Sequence, residues 1–243
     1  MQKFDVKTWL KFAGTLLLVL AGIFCCLLAV MQIEELNHWY VTWQSELVHL
    51  EERVEAVGNS GLIVLLVLLL FTLKSVFPLI TIPAISVIAG AVLPWYFALL
   101  VNIIGIAWLM TIRYWQGRVF GGGNTIKLVR QNEIVRDLFE SKGTGNPYML
   151  FVFRLIPSFP VNSISRLYGA MLFRYRDYIL ISMAGFLYKI ISYTVLGRNV
   201  YNPLSASFLV PLILLCSVSG CLLLGLHYIL LNIEKNQNSE KER

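Results

Sequence analysis

The sequence predicts an all-α integral membrane protein with about four full transmembrane helices and two re-entrant hairpins arranged as an inverted repeat. Three observations point there: an apolar composition, five long apolar runs, and a motif that occurs twice. Of 243 residues, 57% are hydrophobic and 14% charged, and the mean hydropathy is +0.70. Soluble domains carry about 25% charged residues, so this chain cannot cover itself with a water-facing surface. Apolar runs at 13–31, 61–80, 95–112, 178–196 and 208–231 approach or exceed the roughly 20 residues of helix that cross a ~30 Å hydrocarbon core.

The first run follows Lys3, Lys7 and Lys11. It is long for a signal peptide and no small-x-small cleavage site follows, so it is expected to stay as the first helix. The segment after it holds Glu34, Glu35, Glu46, Glu51, Glu52 and Glu55 against one cation, Arg53. The stretch 113–142 instead holds Arg113, Arg118, Lys127, Arg130, Arg136 and Lys142, and Arg174 and Arg176 come later. By the positive-inside bias the basic stretches and both termini are cytoplasmic and the acidic segment is outside, in a multi-pass protein of the cell membrane. The net charge of +6 therefore follows topology, and no nucleic-acid partner is expected, because the cations form no stripe with interleaved aromatics.

Within the acidic segment Ile33, Leu36, Tyr40, Trp43, Leu47, Leu50, Val54 and Val57 step by threes and fours. That spacing predicts an external helix with one apolar seam over 33–57, packed on the protein's own body or in the lipid interface, or pairing two copies as a homo-oligomer. A second amphipathic helix is expected from Asn124 to about 139, along the cytoplasmic interface. Trp39, Tyr40, Trp95, Tyr96, Tyr114 and Trp115 read as interface anchors.

Residues 77–91 (FPLITIPAISVIAGA) align with 156–170 (IPSFPVNSISRLYGA) at an offset of 79. Pro78 meets Pro157, Ile85 meets Ile164, Ser86 meets Ser165, and Gly90-Ala91 meets Gly169-Ala170. Tyr114 meets Tyr193, while Gly117-Arg118 finds Gly197-Arg198 one residue out of step. Each copy is a proline-broken apolar piece, a small-residue turn and a full helix. The charge pattern gives the copies opposite orientations, each presenting a hairpin from its own side, as in the inverted repeats of secondary transporters. A competing count takes 61–80 as one simple span and puts a basic loop outside.

Phe153-Arg154-Leu155-Ile156-Pro157, Pro160-Val161-Asn162 and Leu167-Tyr168-Gly169-Ala170, followed by a helix closing on Gly197-Arg198, resemble the SNARE-associated or VTT domain of the DedA superfamily. Ile82-Pro83, Ala89-Gly90-Ala91, Tyr114 and Gly117-Arg118 are similar to its first half. The likeness covers about 60–200 and is nearer to the Tvp-like branch. It implies paired re-entrant loops and an association with moving lipids between leaflets. Pro160 stands where the DedA branch has a second arginine, and no Asp or Glu occurs between Ala56 and Asn132, so the proton coupling of that branch is not implied. The expected organisation is 1–59, an N-terminal span and external helix; 60–200, the VTT-like membrane domain; and 201–243, a last span and polar tail.

Lys74 lies four residues before Pro78 and Arg154 three before Pro157. A cation at the bilayer centre costs on the order of 3 kcal/mol and is a functional-site candidate by default. The expected substrate site is Lys74, Pro78, Arg154, Pro157, Pro160, Asn162 and Ser165, with Arg154 forked onto a phosphate headgroup, Lys74 as a point charge and freed N–H groups near the prolines. Pro83, Gly90 and Gly169 are expected to shape the hairpins. Lys189, inside the fourth run, either reaches the cavity or extends to the interface. His38, His49 and His227 are scattered, and Cys25, Cys26, Cys216 and Cys221 lie within apolar runs, so no catalytic residue, metal or cofactor is expected. The leading function is a flippase or scramblase for an anionic phosphate-headgroup lipid, a phospholipid or polyprenyl phosphate. The alternatives are a small-solute or ion transporter using the same cavity, and a non-transporting membrane scaffold.

Overall fold

The computed structural model describes residues 6–33, 40, 60–76, 81–121, 140–141, 144–156 and 159–241. Eight helices follow one another among them: α1 (Val6–Val30), α2 (Ser60–Val76), α3 (Ile82–Val92), α4 (Trp95–Phe120), α5 (Pro147–Leu155), α6 (Val161–Ala170), α7 (Tyr175–Arg198) and α8 (Ala206–Lys241). The one other regular feature is a two-residue antiparallel pairing of 140–141 with 144–145. Four helices, α1, α4, α7 and α8, are long and apolar enough to cross a membrane. Within the run 61–80 the described helix α2 has 17 residues, Ser60–Val76, about 26 Å at 1.5 Å per residue. The seam at 33–57 (apart from Ile33 and Tyr40), the helix expected from Asn124, and Pro78 and Pro157 lie outside the described residues.

Local chemistry explains the short helices. Thr81 caps α3, its hydroxyl accepting from the Ala84 amide at 3.4 Å, and Pro83 sits in the first turn, where its missing N–H leaves nothing unmet. Pro94 separates α3 from α4. Asn146 caps α5 by accepting from the Tyr148 and Met149 amides at 3.0 and 3.5 Å, with Pro147 next. Pro160 leads into α6, which ends where Leu172 takes a left-handed φ of 55°. The Leu172 and Phe173 amides then turn back onto the Gly169 and Tyr168 carbonyls, closing the helix end.

The order short, short, long occurs twice, as α2–α3–α4 and α5–α6–α7, and the copies interlock. α3 packs on α7, and α6 packs on α4; α2 lies on its own long helix α4, and α5 on its own long helix α7. Glycines set each approach. A β-carbon on Gly90 would collide with the Thr194 carbonyl, and one on Gly197 with the Val87 carbonyl. At the matching crossing, a β-carbon on Gly169 would strike the Tyr114 carbonyl, and one on Gly117 the Arg166 carbonyl. Gly105 gives way to the Phe71 ring of α2, and Gly185 to the Arg154 β-carbon of α5, 2.8 Å from where its own would be. One apolar core containing Phe71, Ile85, Ile106, Leu150, Tyr168 and Ile190 runs through both copies. The first and last helices, α1 and α8, pair outside the repeat, Gly14 against Leu224 and Gly220 against Leu18.

The two ends of α7, about 36 Å apart for 24 residues, have different neighbours. At its start, Tyr178 stacks on Tyr114 with ring centroids 4.7 Å apart, and the Tyr114 hydroxyl donates to the Phe173 carbonyl. Beyond its end, the Tyr40 hydroxyl donates to Asn202 Oδ1 at 2.8 Å and accepts from the Leu204 amide at 3.2 Å. The acidic segment thus touches the α7–α8 loop, while Arg118, Arg166 and Arg174 gather at the opposite end. Trp95, Tyr96 and Trp115 are about half exposed, as anchors should be, but Tyr40 and Tyr114 are buried. Their hydroxyls have protein partners, so water is not needed to satisfy them.

Gly169→Ala is expected to destabilise the protein by about 1–3 kcal/mol, because the obstacle is backbone that cannot step aside. Gly22→Ala, at an α1 position with nothing within 4 Å of the added carbon, is expected to be neutral or stabilising by up to about 1 kcal/mol. Thermal unfolding of both variants in detergent checks the contrast.

Candidate functional site

A cavity of about 350 Å³ lies where the two helix breaks meet. Lys74, Thr81, Ile82 and Pro83 come to it from the α2–α3 pair, Phe159, Pro160, Val161, Asn162 and Ser163 from the α5–α6 pair, and Phe186 and Tyr193 from α7. Of the residues expected at a substrate site, Lys74, Pro160 and Asn162 line this cavity together, joined by Pro83. Asn162 Oδ1 is buried without a hydrogen-bond partner. Gly90 and Gly169 are at the helix crossings and away from the cavity wall.

Arg154 and Ser165 stand elsewhere than expected. Arg154 is fully buried, and its guanidinium is held by neutral groups. Nε donates to Ser182 Oγ at 3.1 Å, Nη1 to the Val161 carbonyl at 3.4 Å, and Nη2 to Ser165 Oγ at 2.8 Å and to the Tyr178 hydroxyl at 2.9 Å. Its carbon also lies 5.7 Å from the centroid of the Tyr178 ring. Ser165 passes its own proton to the Val161 carbonyl at 2.7 Å. The fork expected to face a headgroup is therefore already occupied, one residue layer behind the cavity, with Val161 between. The pattern also folds α5 and α6 back on each other: Arg154 meets Val161 and Ser165 near the break, and Tyr168 near the far end donates to the Asn146 carbonyl at 2.6 Å.

Lys189 is buried in the same layer. Its Nζ is 3.7 Å from the centroid of Phe186, a residue of the cavity wall. The cavity thus has Lys74 on its wall and Arg154 and Lys189 directly behind. No Asp or Glu occurs in α2 to α6, and α7 has only Asp177, in its first turn. These helices themselves bring no carboxylate to the level of the cavity.

The sequence reading missed Tyr178 and Ser182, the α7 partners of Arg154. Their signal was available: Tyr178, Ser182, Phe186, Lys189 and Tyr193 step by threes and fours along one face of a transmembrane run. Tyr178→Phe removes a hydrogen bond to a buried cation and is expected to cost about 1.5–3 kcal/mol, measured as a fall in melting temperature. Tyr175→Phe, whose hydroxyl meets the neutral Thr111 hydroxyl at 2.9 Å, is expected to cost less.

No curated protein and no solved structure matches the chain. The family profile described as the VTT domain matches residues 77–199, half of the chain, beginning just after α2 and ending just past α7. It takes in both breaks, both glycine crossings and Arg154 with all its partners. On that match, the chain belongs to the VTT-domain family, the SNARE-associated and DedA-like membrane proteins.

Proposed function

We propose that this protein moves an anionic phosphate-headgroup lipid, a phospholipid or polyprenyl phosphate, between leaflets. The head passes through the cavity between the two broken helix pairs while the tails remain in lipid. The observation that carries this reading is the cavity itself: it is assembled from both repeat copies, with Lys74, Asn162 and Ser163 set among apolar residues on its wall and Arg154 behind Val161. An anion entering it gains Lys74 directly and feels Arg154 from behind Val161, where the dielectric is low. Membership in a transporter-like membrane family supports the class of function.

In this reading the α2–α3 and α5–α6 pairs are re-entrant hairpins that approach the midplane from opposite faces. Non-helical backbone is tolerated at that depth only against protein or a water-filled cavity, a role this reading gives to the cavity between the pairs. The Tyr40 and Asn202 end of α7 is external, the arginine-rich end is cytoplasmic, and both termini are cytoplasmic. Arg154 then contributes in two ways: it ties the second hairpin to α7, and it raises the potential of the cavity without touching the ligand.

The test is leaflet exchange of a tail-labelled phosphatidylglycerol in liposomes containing the purified protein. Wild type is expected to exceed empty liposomes. Lys74→Ala is expected to slow exchange at least tenfold, about 1.4 kcal/mol of barrier, with unchanged melting. Arg154→Ala is expected to lose exchange together with stability. A folded wild-type protein that gives no exchange of either phosphatidylglycerol or a polyprenyl phosphate refutes the proposal, and uptake of inorganic phosphate in its place would assign the cavity to a small solute.

A further inference from the structure

The opposite face of α7 borders a second, open cavity of about 430 Å³. Ile191, Val195 and Arg198 line it from α7, a face turned away from that of Phe186 and Tyr193 by helical spacing. Trp95 and Leu99 line it from α4, and Ser207 from the start of α8. The floor is apolar, and the cation and the hydroxyl are at one end. That end adjoins the loop held by Tyr40, where α7 leaves the apolar zone. A phospholipid has the same layout, an anionic phosphate beside a long apolar body.

Arg198 closes the second repeat copy as Arg118 closes the first, yet their side chains are engaged differently. Arg118 follows Tyr114 by four residues, so the two share a helix face. Its Nη1 donates to the Tyr114 hydroxyl at 2.8 Å, and its guanidinium carbon lies 5.7 Å from the centroid of the Trp115 ring. The second copy is one residue out of step, so Arg198 follows Tyr193 by five and is turned about 140° from it around the helix, against about 40° for Arg118 and Tyr114. The residue four before it is Thr194, whose hydroxyl already accepts from Asn102 Nδ2 at 2.9 Å and donates to the Ile190 carbonyl at 2.8 Å. Arg198 is exposed, and its side chain has no hydrogen bond, ion pair or ring contact among the described residues. The one-residue slip takes an arginine that is spent on the fold in the first copy and releases it in the second.

We propose that this groove docks one anionic phospholipid of the leaflet at the Tyr40 end, its phosphate on Arg198 and Ser207, its acyl chains along Leu99, Ile191 and Val195, and Trp95 at the glycerol level. A guanidinium matches two phosphate oxygens at once, and the apolar floor selects a lipid over free phosphate. The site is separate from the cavity at the helix breaks and does not depend on transport through it.

Native mass spectrometry of the detergent-purified full chain, equilibrated with phosphatidylglycerol or phosphatidylcholine, tests the site. Wild type is expected to retain phosphatidylglycerol at least fivefold over phosphatidylcholine. Arg198→Gln is expected to abolish that preference, Arg198→Lys to keep part of it, and Ser207→Trp, which fills the groove and leaves the charge, to lower phosphatidylglycerol retention at least threefold. Equal retention of the two lipids by wild type, or a preference that survives Arg198→Gln, overturns the proposal. So does a preference lost in Lys74→Ala and kept in Arg198→Gln, which moves the bound headgroup to the cavity. Preference at Arg198 combined with no leaflet exchange would leave this site standing and remove the transport reading.

Discussion

Everything in this fold depends on two places where helix backbones touch. At the Gly90–Gly197 and Gly117–Gly169 crossings, the short helix of one repeat copy lies directly against the long helix of the other, with no side chain between. Helices in lipid gain little from burying apolar surface against each other, since the tails are equally apolar, so close backbone approach is the main source of adhesion. The crossings also fix where the breaks are. Because α3 is seated on α7 and α6 on α4, the residues before each short helix are brought to a common point, and the cavity forms there.

Arg154 is the second feature that organises the site. A buried guanidinium would normally be matched by a carboxylate, and here three hydroxyls and a carbonyl share it instead. That arrangement satisfies the N–H groups but leaves the net charge in place. A carboxylate would have cancelled the field that reaches the cavity, whereas neutral partners hold the side chain and let the field through.

Much of this was legible in the sequence, and the misses have definite causes. The four spans follow from composition along the chain, which is a local property. The repeat was visible because Pro157, Ser165, Gly169 and Tyr193 keep the spacing of their counterparts, and this was enough to bring Lys74, Pro160 and Asn162 to one place. Arg154 was misplaced by one layer because its surroundings come from Tyr178 and Ser182, on a different helix with no fixed spacing to the arginine. Tyr114 was misread because an aromatic at the end of an apolar run looks alike whether lipid or Phe173 receives its hydroxyl. The fate of Arg198 turned on a single-residue slip, visible as misalignment but meaningful only when it is known which helix face bears Tyr193.

The exchange of short helices between copies also has a consequence in time. α3 finds its partner surface on α7, which begins more than 80 residues later, and α1 finds its own on α8, the last helix of the chain. At 5–20 residues per second, a nascent chain spends roughly 4–20 s with α3 in place and its glycine face bare. The first half therefore cannot mature alone in the bilayer. Insertion leaves a half-built membrane protein, with the glycine face of α3 sheltered by the insertion machinery or by lipid until the second half arrives to cover it.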